Sequence, residues 1–371
     1  MALIVDADSH FFEPLDLWEQ YVEHKYKERA LRVLRDEATG LETVVIDGKP
    51  SALPPGTFRL IVGFGQPADL PASFTFREGP VGAYDMAQRI QWLDAEGIDK
   101  QLIYPSMAVI WEAEVDDPEI AAVYCRAYNN WAWEVCGPYA DRLLPGAHIS
   151  LRDVDEAVRE LRRVARMGFR GVFISSRPLR DHSFGSPACD PFWAEAQELG
   201  IPVGIHPTGN LQYTGSAWRA DLPLEFPHLA LGTPQDVRMV LTTLIYDGVL
   251  ERFPRLKVVA VEAKSGWIGE LLERMDHFLD RFASLMPRRL RLKPSEYFAR
   301  QCWISADPEE TTLPAMIDLV GADKFFWGSD FPHMEGFPHP VHGARERLRT
   351  FPESTQRKIL GENAAAVYNL N

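Results

Sequence analysis

"LLPGAHISLRDVDEAVRELRRVARMGFRGVFISS", residues 143–176, contains the unit from which the whole chain is built. Two short apolar runs, 143–150 and 169–176, flank a charged stretch in which Val154, Ala157, Val158, Leu161 and Val164 recur at helical spacing. Gly168 stands where a helix closes. The stretch therefore reads strand, helix, strand, and such a crossover joins parallel strands.

Working outward, six further runs have the same strand character: "LIVDAD" (3–8), "QLIYPS" (101–106), "IPVGIH" (201–206), "LKVVAVE" (256–262), "CWIS" (302–305) and "KFFWGSD" (324–330). Helical stretches such as "DPFWAEAQELG" (190–200) separate them. Eight strands alternating with helices predict a parallel α/β sheet, and eight units close a (β/α)8 TIM barrel. An open doubly wound sheet is the alternative. No GxGxxG follows any strand, which speaks against its dinucleotide-binding form. Trp131, Trp133 and Trp193 fall at core spacing on helical segments and read as packing.

The spacing also locates additions to the barrel. The first strand ends at 8 and the second begins at 101, so the intervening segment, about 31–82, is inserted material within one domain spanning 1–371. Residues 31–51 read as a β-hairpin and Pro54 to Gly82 as an irregular loop. A second long loop, 207–234, follows the fifth strand. Loops after strand ends lie on the catalytic face of a barrel, so both are candidate walls of a site.

With 53 acidic against 39 basic residues, a formal charge of -14 and no basic run, the chain lacks the footprint of a nucleic-acid or anionic-membrane binder. The expected partner is a small molecule. Four scattered cysteines without CxxC spacing, an N-terminus without signal-peptide character and no apolar run of about 20 residues imply a reduced, cytoplasmic protein.

Polar residues gather at strand ends. The first strand closes on Asp8 and His10, the fifth on His206, the sixth on Glu262 and the eighth on Asp330, with His333 three residues on. Barrel strand ends converge on one crevice. Carboxylates and imidazoles brought together without balancing lysines or arginines repel one another, and a divalent cation resolves this. Taken singly, His206 could be a loop histidine, Asp330 a helix cap and Glu262 a partner of Lys264 or Arg274. Their joint placement makes Asp8, His10, His206, Glu262 and Asp330 candidate metal ligands.

Asp330, His333 and Glu13 are candidate acid–base groups, although Glu13 could equally cap the helix that follows it. Arg177, Trp218 and Arg219 are candidate substrate contacts. Asp6, one residue pair deeper than Asp8, reads as structural. A donor set rich in oxygen and free of thiolate suits manganese or iron, with zinc as a further option, and its size allows one cation or two.

The stretches "DADSHFFEPLDLW" (6–18), "GIHP" (204–207), "GVLERFPRLKVVAVE" (248–262) and "WGSDFPH" (327–333) carry a resemblance to the amidohydrolase superfamily, within the branch that includes non-oxidative decarboxylases of aromatic acids. The resemblance runs the length of the chain. Three departures stand out. The superfamily typically opens with HxH, where this chain has Asp8 and His10, and a histidine commonly ends strand six, where this chain has Glu262. The bridging lysine that strand four supplies in dinuclear hydrolases is missing, because "FISSRP" offers Ser175, Ser176 and Arg177.

The resemblance implies a metal-dependent enzyme acting on a small carboxylate- or carbonyl-containing molecule, by hydrolysis or non-oxidative decarboxylation. Two alternatives remain at this point: a dinuclear iron or manganese oxygenase, and a non-catalytic subunit supporting a paralogous chain. Barrels of this branch are commonly dimers or tetramers, so the resemblance also implies an oligomer.

Overall fold

The computed structural model describes residues 3–56, 61–66, 70–208, 233–286 and 288–370. Thirteen strands occur among them. The first barrel strand is in two pieces, β1 (Val5–Asp6) and β2 (His10–Phe11), and three strands of the insertion follow: β3 (Arg32–Arg35), β4 (Glu42–Ile46) and β5 (Lys49–Pro50). The remainder are β6 (Lys100–Pro105), β7 (Leu143–Pro145), β8 (Ala147–His148), β9 (Val172–Ser175), β10 (Val203–His206), β11 (Val258–Ala260), β12 (Cys302–Ala306) and β13 (Phe325–Trp327). All eight strand segments expected from the sequence are present, and every pairing outside the insertion is parallel.

The parallel strands form two ladders. β8 to β13 pair in chain order, while β6 takes β1, β2 and β7. The third barrel strand spans both ladders, since β7 pairs with β6 and β8 with β9, and the two pieces meet at Gly146. A Cβ at Gly146 would lie 2.8 Å from the Tyr104 ring, so glycine allows the strand to bend against it. At the other seam, Ala7 N–H donates to the Trp327 carbonyl at 3.0 Å and Asp330 N–H to the Asp8 carbonyl at 2.9 Å. The first and last strands are thereby neighbours.

Local chemistry explains the connecting helices. In the helix Val154–Met167 the Asp153 carboxylate accepts the Glu156 N–H, Ala157, Leu161 and Val164 are buried, and Gly168 closes the helix with a left-handed φ of 110°. The helix Asp190–Leu199 buries Phe192, Trp193 and Ala196 and ends on Gly200. Trp131 is buried as well, and Trp133 is half-buried.

In the insertion, residues 31–51 form an antiparallel three-stranded meander, one short strand more than a hairpin. Asp47 and Gly48 both take positive φ, the backbone that a tight two-residue turn requires, and this turn adds β5. The stretch 54–82 contains a 3-10 turn, Phe76–Glu78, in which the Glu78 carboxylate accepts the Thr75 N–H. The loop 207–234 lies largely outside the described residues, as do Trp218 and Arg219. No helix among the described residues is long and apolar enough to cross a membrane.

Candidate metal centre

Backbone placement comes first. Between the pairs Asp6–Gln101 and His10–Tyr104 the first strand advances one residue more than β6, a bulge across Ala7–Ser9 that re-aims the side chains on either side. Glu262 and Asp330 follow β11 and β13 with left-handed φ values of 49° and 53°. For residues with a Cβ this conformation costs about 1 kcal/mol or more each, and such strain concentrates at functional sites. Gly328 lets the last strand close on the first, because a Cβ there would lie 2.2 Å from that of Asp8.

Five side-chain atoms meet in this crevice. Glu262 Oε2 is 2.9 Å from His10 Nε2 and 2.8 Å from His206 Nε2. Asp330 Oδ1 and Asp8 Oδ1 are 3.5 and 3.8 Å from His10 Nε2. All five are buried and none is aligned with a hydrogen-bond partner.

The outer atoms of the same side chains are engaged. His10 Nδ1–H faces the Pro105 carbonyl at 3.3 Å and His206 Nδ1–H the Pro207 carbonyl at 2.7 Å. A carbonyl only accepts, so each neutral ring keeps its proton on Nδ1 and turns the Nε2 lone pair toward the cluster. Asp8 Oδ2 accepts the Glu262 N–H at 3.0 Å and the Ser305 hydroxyl at 3.3 Å, leaving Oδ1 facing inward. Lone pairs aimed at lone pairs repel unless a cation sits among them. Outer contacts that fix tautomer and orientation are also what metal ligands carry. Asp8, His10, His206 and Glu262 offer donor atoms that converge, a set that would hold a divalent ion and supply it with hard oxygen and imidazole donors.

Without a cation the charges are divided: burial opposes protonation of His206, but Glu262 and Asp8 outweigh it and raise that imidazole. Burial, with Glu262 close by, pushes the Asp8 and Asp330 carboxyls well above the usual range. Burial pushes His10 down to about 3. Burial opposes ionisation of Glu262 too, but His206 and His10 outweigh it and hold that carboxyl well below the usual range. Lys264, the cation nearest the opening, is ion-paired with Asp307. A cavity of about 30 Å³ opens beside Asp8, Glu262 and Asp330, larger than the ~10–15 Å³ that one water requires.

His333 joins the cluster from the other side. Its ring stacks on His10 with centroids 3.9 Å apart, and its Nδ1 lies 2.8 Å from Asp330 Oδ1. His10, Glu262, Asp330 and His333 form a second set of converging donor atoms that overlaps the first.

Glu13 is buried one layer away. Its carboxylate accepts the backbone N–H groups of Ser106 and Met107 at 3.1–3.2 Å, and burial pushes it up to about 8. Arg177 ties down the 112–116 segment, donating to the carbonyls of Glu112 and Val115 and to the Asp116 carboxylate. Asp6 accepts from Ser329 and Gln101 and is fully buried, which is the structural part expected of it.

Sequence reading missed three participants. Ser106 follows β6 and reaches His333, Ser305 orients Asp8, and Glu335 is a carboxyl pushed up to about 7 by burial at the cavity wall.

A family model described as amidohydrolase matches residues 5–370, and the chain belongs to that family. An amidohydrolase of Mycobacterium avium subsp. paratuberculosis is 27% identical, with a TM-score of 0.85 over 99% of this chain and 98% of that one. The α/β fold is thus of the TIM-barrel class. The 2-amino-3-carboxymuconate-6-semialdehyde decarboxylase of Dictyostelium discoideum is 25% identical over 299 residues, 80% of each chain. A dihydroxybenzoic acid decarboxylase of a Polaromonas species, solved with bound manganese and the inhibitor 2-nitroresorcinol, is 19% identical with a TM-score of 0.66, covering 100% of this chain and 98% of that one. The relatives with a named reaction are decarboxylases, and the oxygenase expected as an alternative has no counterpart among them.

Proposed function

We propose that this chain is a metal-dependent carboxy-lyase that removes CO2, without oxidation, from a small acid bearing an oxygen next to its carboxylate. Asp8, His10, His206, Glu262 and Asp330 would hold the cation, with manganese the candidate because the Polaromonas relative binds it. The carrying observation is Glu262 Oε2, 2.9 and 2.8 Å from two imidazole nitrogens whose protons sit on the far side of each ring. When bound, the cation supplies charge that holds the substrate's oxygens and draws electron density from the carbon.

The chain's own residues handle the proton. The bond to the carboxyl carbon breaks, its electron pair stays on the substrate carbon, and a proton arrives there from the His333–Asp330 pair as CO2 leaves. His333 Nδ1, beside Asp330 and stacked on His10, is placed for that transfer. Hydrolysis would draw on the same residues, and the decarboxylases among the relatives favour carboxy-lyase chemistry. The five-donor set lies within one chain, which supports a catalytic protein over a supporting subunit.

The test is CO2 release from a panel of hydroxybenzoates and enolic acids, using protein purified with manganese, iron and zinc supplied. Release that a chelator abolishes and added metal restores is the expected result. Protein that binds no cation and releases no CO2 overturns the proposal.

A further inference from the structure

One chain of contacts behind the cluster is not used by the proposed reaction. Ser106 lies between the last residue of β6 and the short helix Met107–Trp111. Its hydroxyl donates to the Phe11 carbonyl at 2.6 Å, and the same oxygen is 2.8 Å from His333 Nε2. A hydroxyl has one proton. Because the Phe11 carbonyl can only accept, that proton is committed, and Ser106 Oγ must accept from a protonated His333 Nε2.

The arrangement is buried and braced. Ser106 is 1% exposed, and its backbone N–H is held by the Glu13 carboxylate at 3.2 Å. The His10 ring stacked at 3.9 Å fixes the plane of the imidazole. The opposite nitrogen, Nδ1, faces Asp330 Oδ1 at 2.8 Å.

We propose that Ser106 is a positioning residue that keeps a permanent proton on His333 Nε2, so that Nδ1 is the nitrogen of this ring turned toward the crevice. Glu13 contributes by fixing Ser106 and touches no reacting atom. The catalytic consequence rests on the carboxy-lyase reading, in which the Nδ1 proton goes to the substrate carbon and water later replaces it. The assignment of the Nε2 proton does not depend on that reading.

The experiment uses the full chain labelled with 15N-histidine and loaded with zinc, which is diamagnetic. His333→Gln identifies the signal of this ring by its disappearance. The expected result is an Nε2-protonated ring throughout the neutral pH range, preserved in Ser106→Thr and lost in Ser106→Ala. For any acid the protein turns over, Ser106→Ala lowers kcat at least about tenfold while KM changes less than about twofold, and Ser106→Thr restores most of the rate.

An unprotonated Nε2 in the unmodified protein overturns the proposal even if Ser106→Ala fails to fold. So does a Ser106→Ala variant that retains both the signal and the rate. If no acid is turned over, the carboxy-lyase reading fails while the nitrogen signal still decides the proton assignment.

Discussion

Glu262 carries the heaviest demand of any residue in the crevice, since its Oε2 lies against two imidazoles and its backbone is left-handed. Glu262→Gln keeps the shape and removes the charge. Metal content after dialysis should fall, with affinity reduced at least about 10- to 100-fold, the loss that even an outer contact of a metal site brings. Unchanged metal content would remove Glu262 from the ligand set. His333→Gln should do the reverse, retaining metal and lowering kcat about a hundredfold.

The candidate ligands were legible because each ends a strand, and strand ends in this architecture meet. Ser106 was not, because a serine beside a proline has no composition signal. Only the hydroxyl's position against Phe11 and His333 shows its part. Arg177, read as a candidate substrate contact, donates to the 112–116 segment, a part the sequence does not show.

Among the elements, a buried polar joint lies where the third barrel strand meets the segment after β6. His148 on β8 is 2.9 Å from Glu112, which also pairs with Arg152. Cys125 completes a group of three donors here, but Arg152 already neutralises the carboxylate. Burial opposes ionisation of Glu112, yet the charge of Arg152 and the His148 contact outweigh it and hold the carboxyl at about 2 instead of 4.5.

A folded pKa below the unfolded one stabilises the fold above about pH 4.5, and that contribution is lost as pH falls toward about 2. The shift corresponds to about 3 kcal/mol at neutral pH. Urea unfolding of Glu112→Gln should therefore show a deficit of that order at pH 7 that shrinks steadily below pH 4.5. A deficit independent of pH would show that the lost charge is not its cause. The helices were legible from period and closing glycines, as in the stretch 153–168 that ends on Gly168. The third strand of the insertion was not, because two residues contribute no periodicity and only the Asp47–Gly48 turn brings them back.

At the scale of the molecule, the parallel strand order follows from eight strand-and-helix units, and close approach is allowed by glycine within the third strand, Gly146, and where the last strand meets the first, Gly328. The contact between first and last strands brings Asp8 and Asp330, 322 positions apart in the sequence, to 3.8 and 3.5 Å from the same His10 Nε2. The long loop after the fifth strand, with Trp218 and Arg219, falls outside the described residues, so the substrate contacts expected there stay as read from the sequence.

The account stands or falls on whether those inward-facing atoms share a cation. The direct measurement is a crystal structure of protein grown with manganese, with anomalous scattering and elemental analysis of the same sample. The prediction is manganese held by Asp8, His10, His206 and Glu262, whose donor atoms converge, with Asp330 beside His10 at the edge of that set. A crevice without anomalous density, its imidazoles protonated on Nε2 and bonded to the carboxylates, would contradict it.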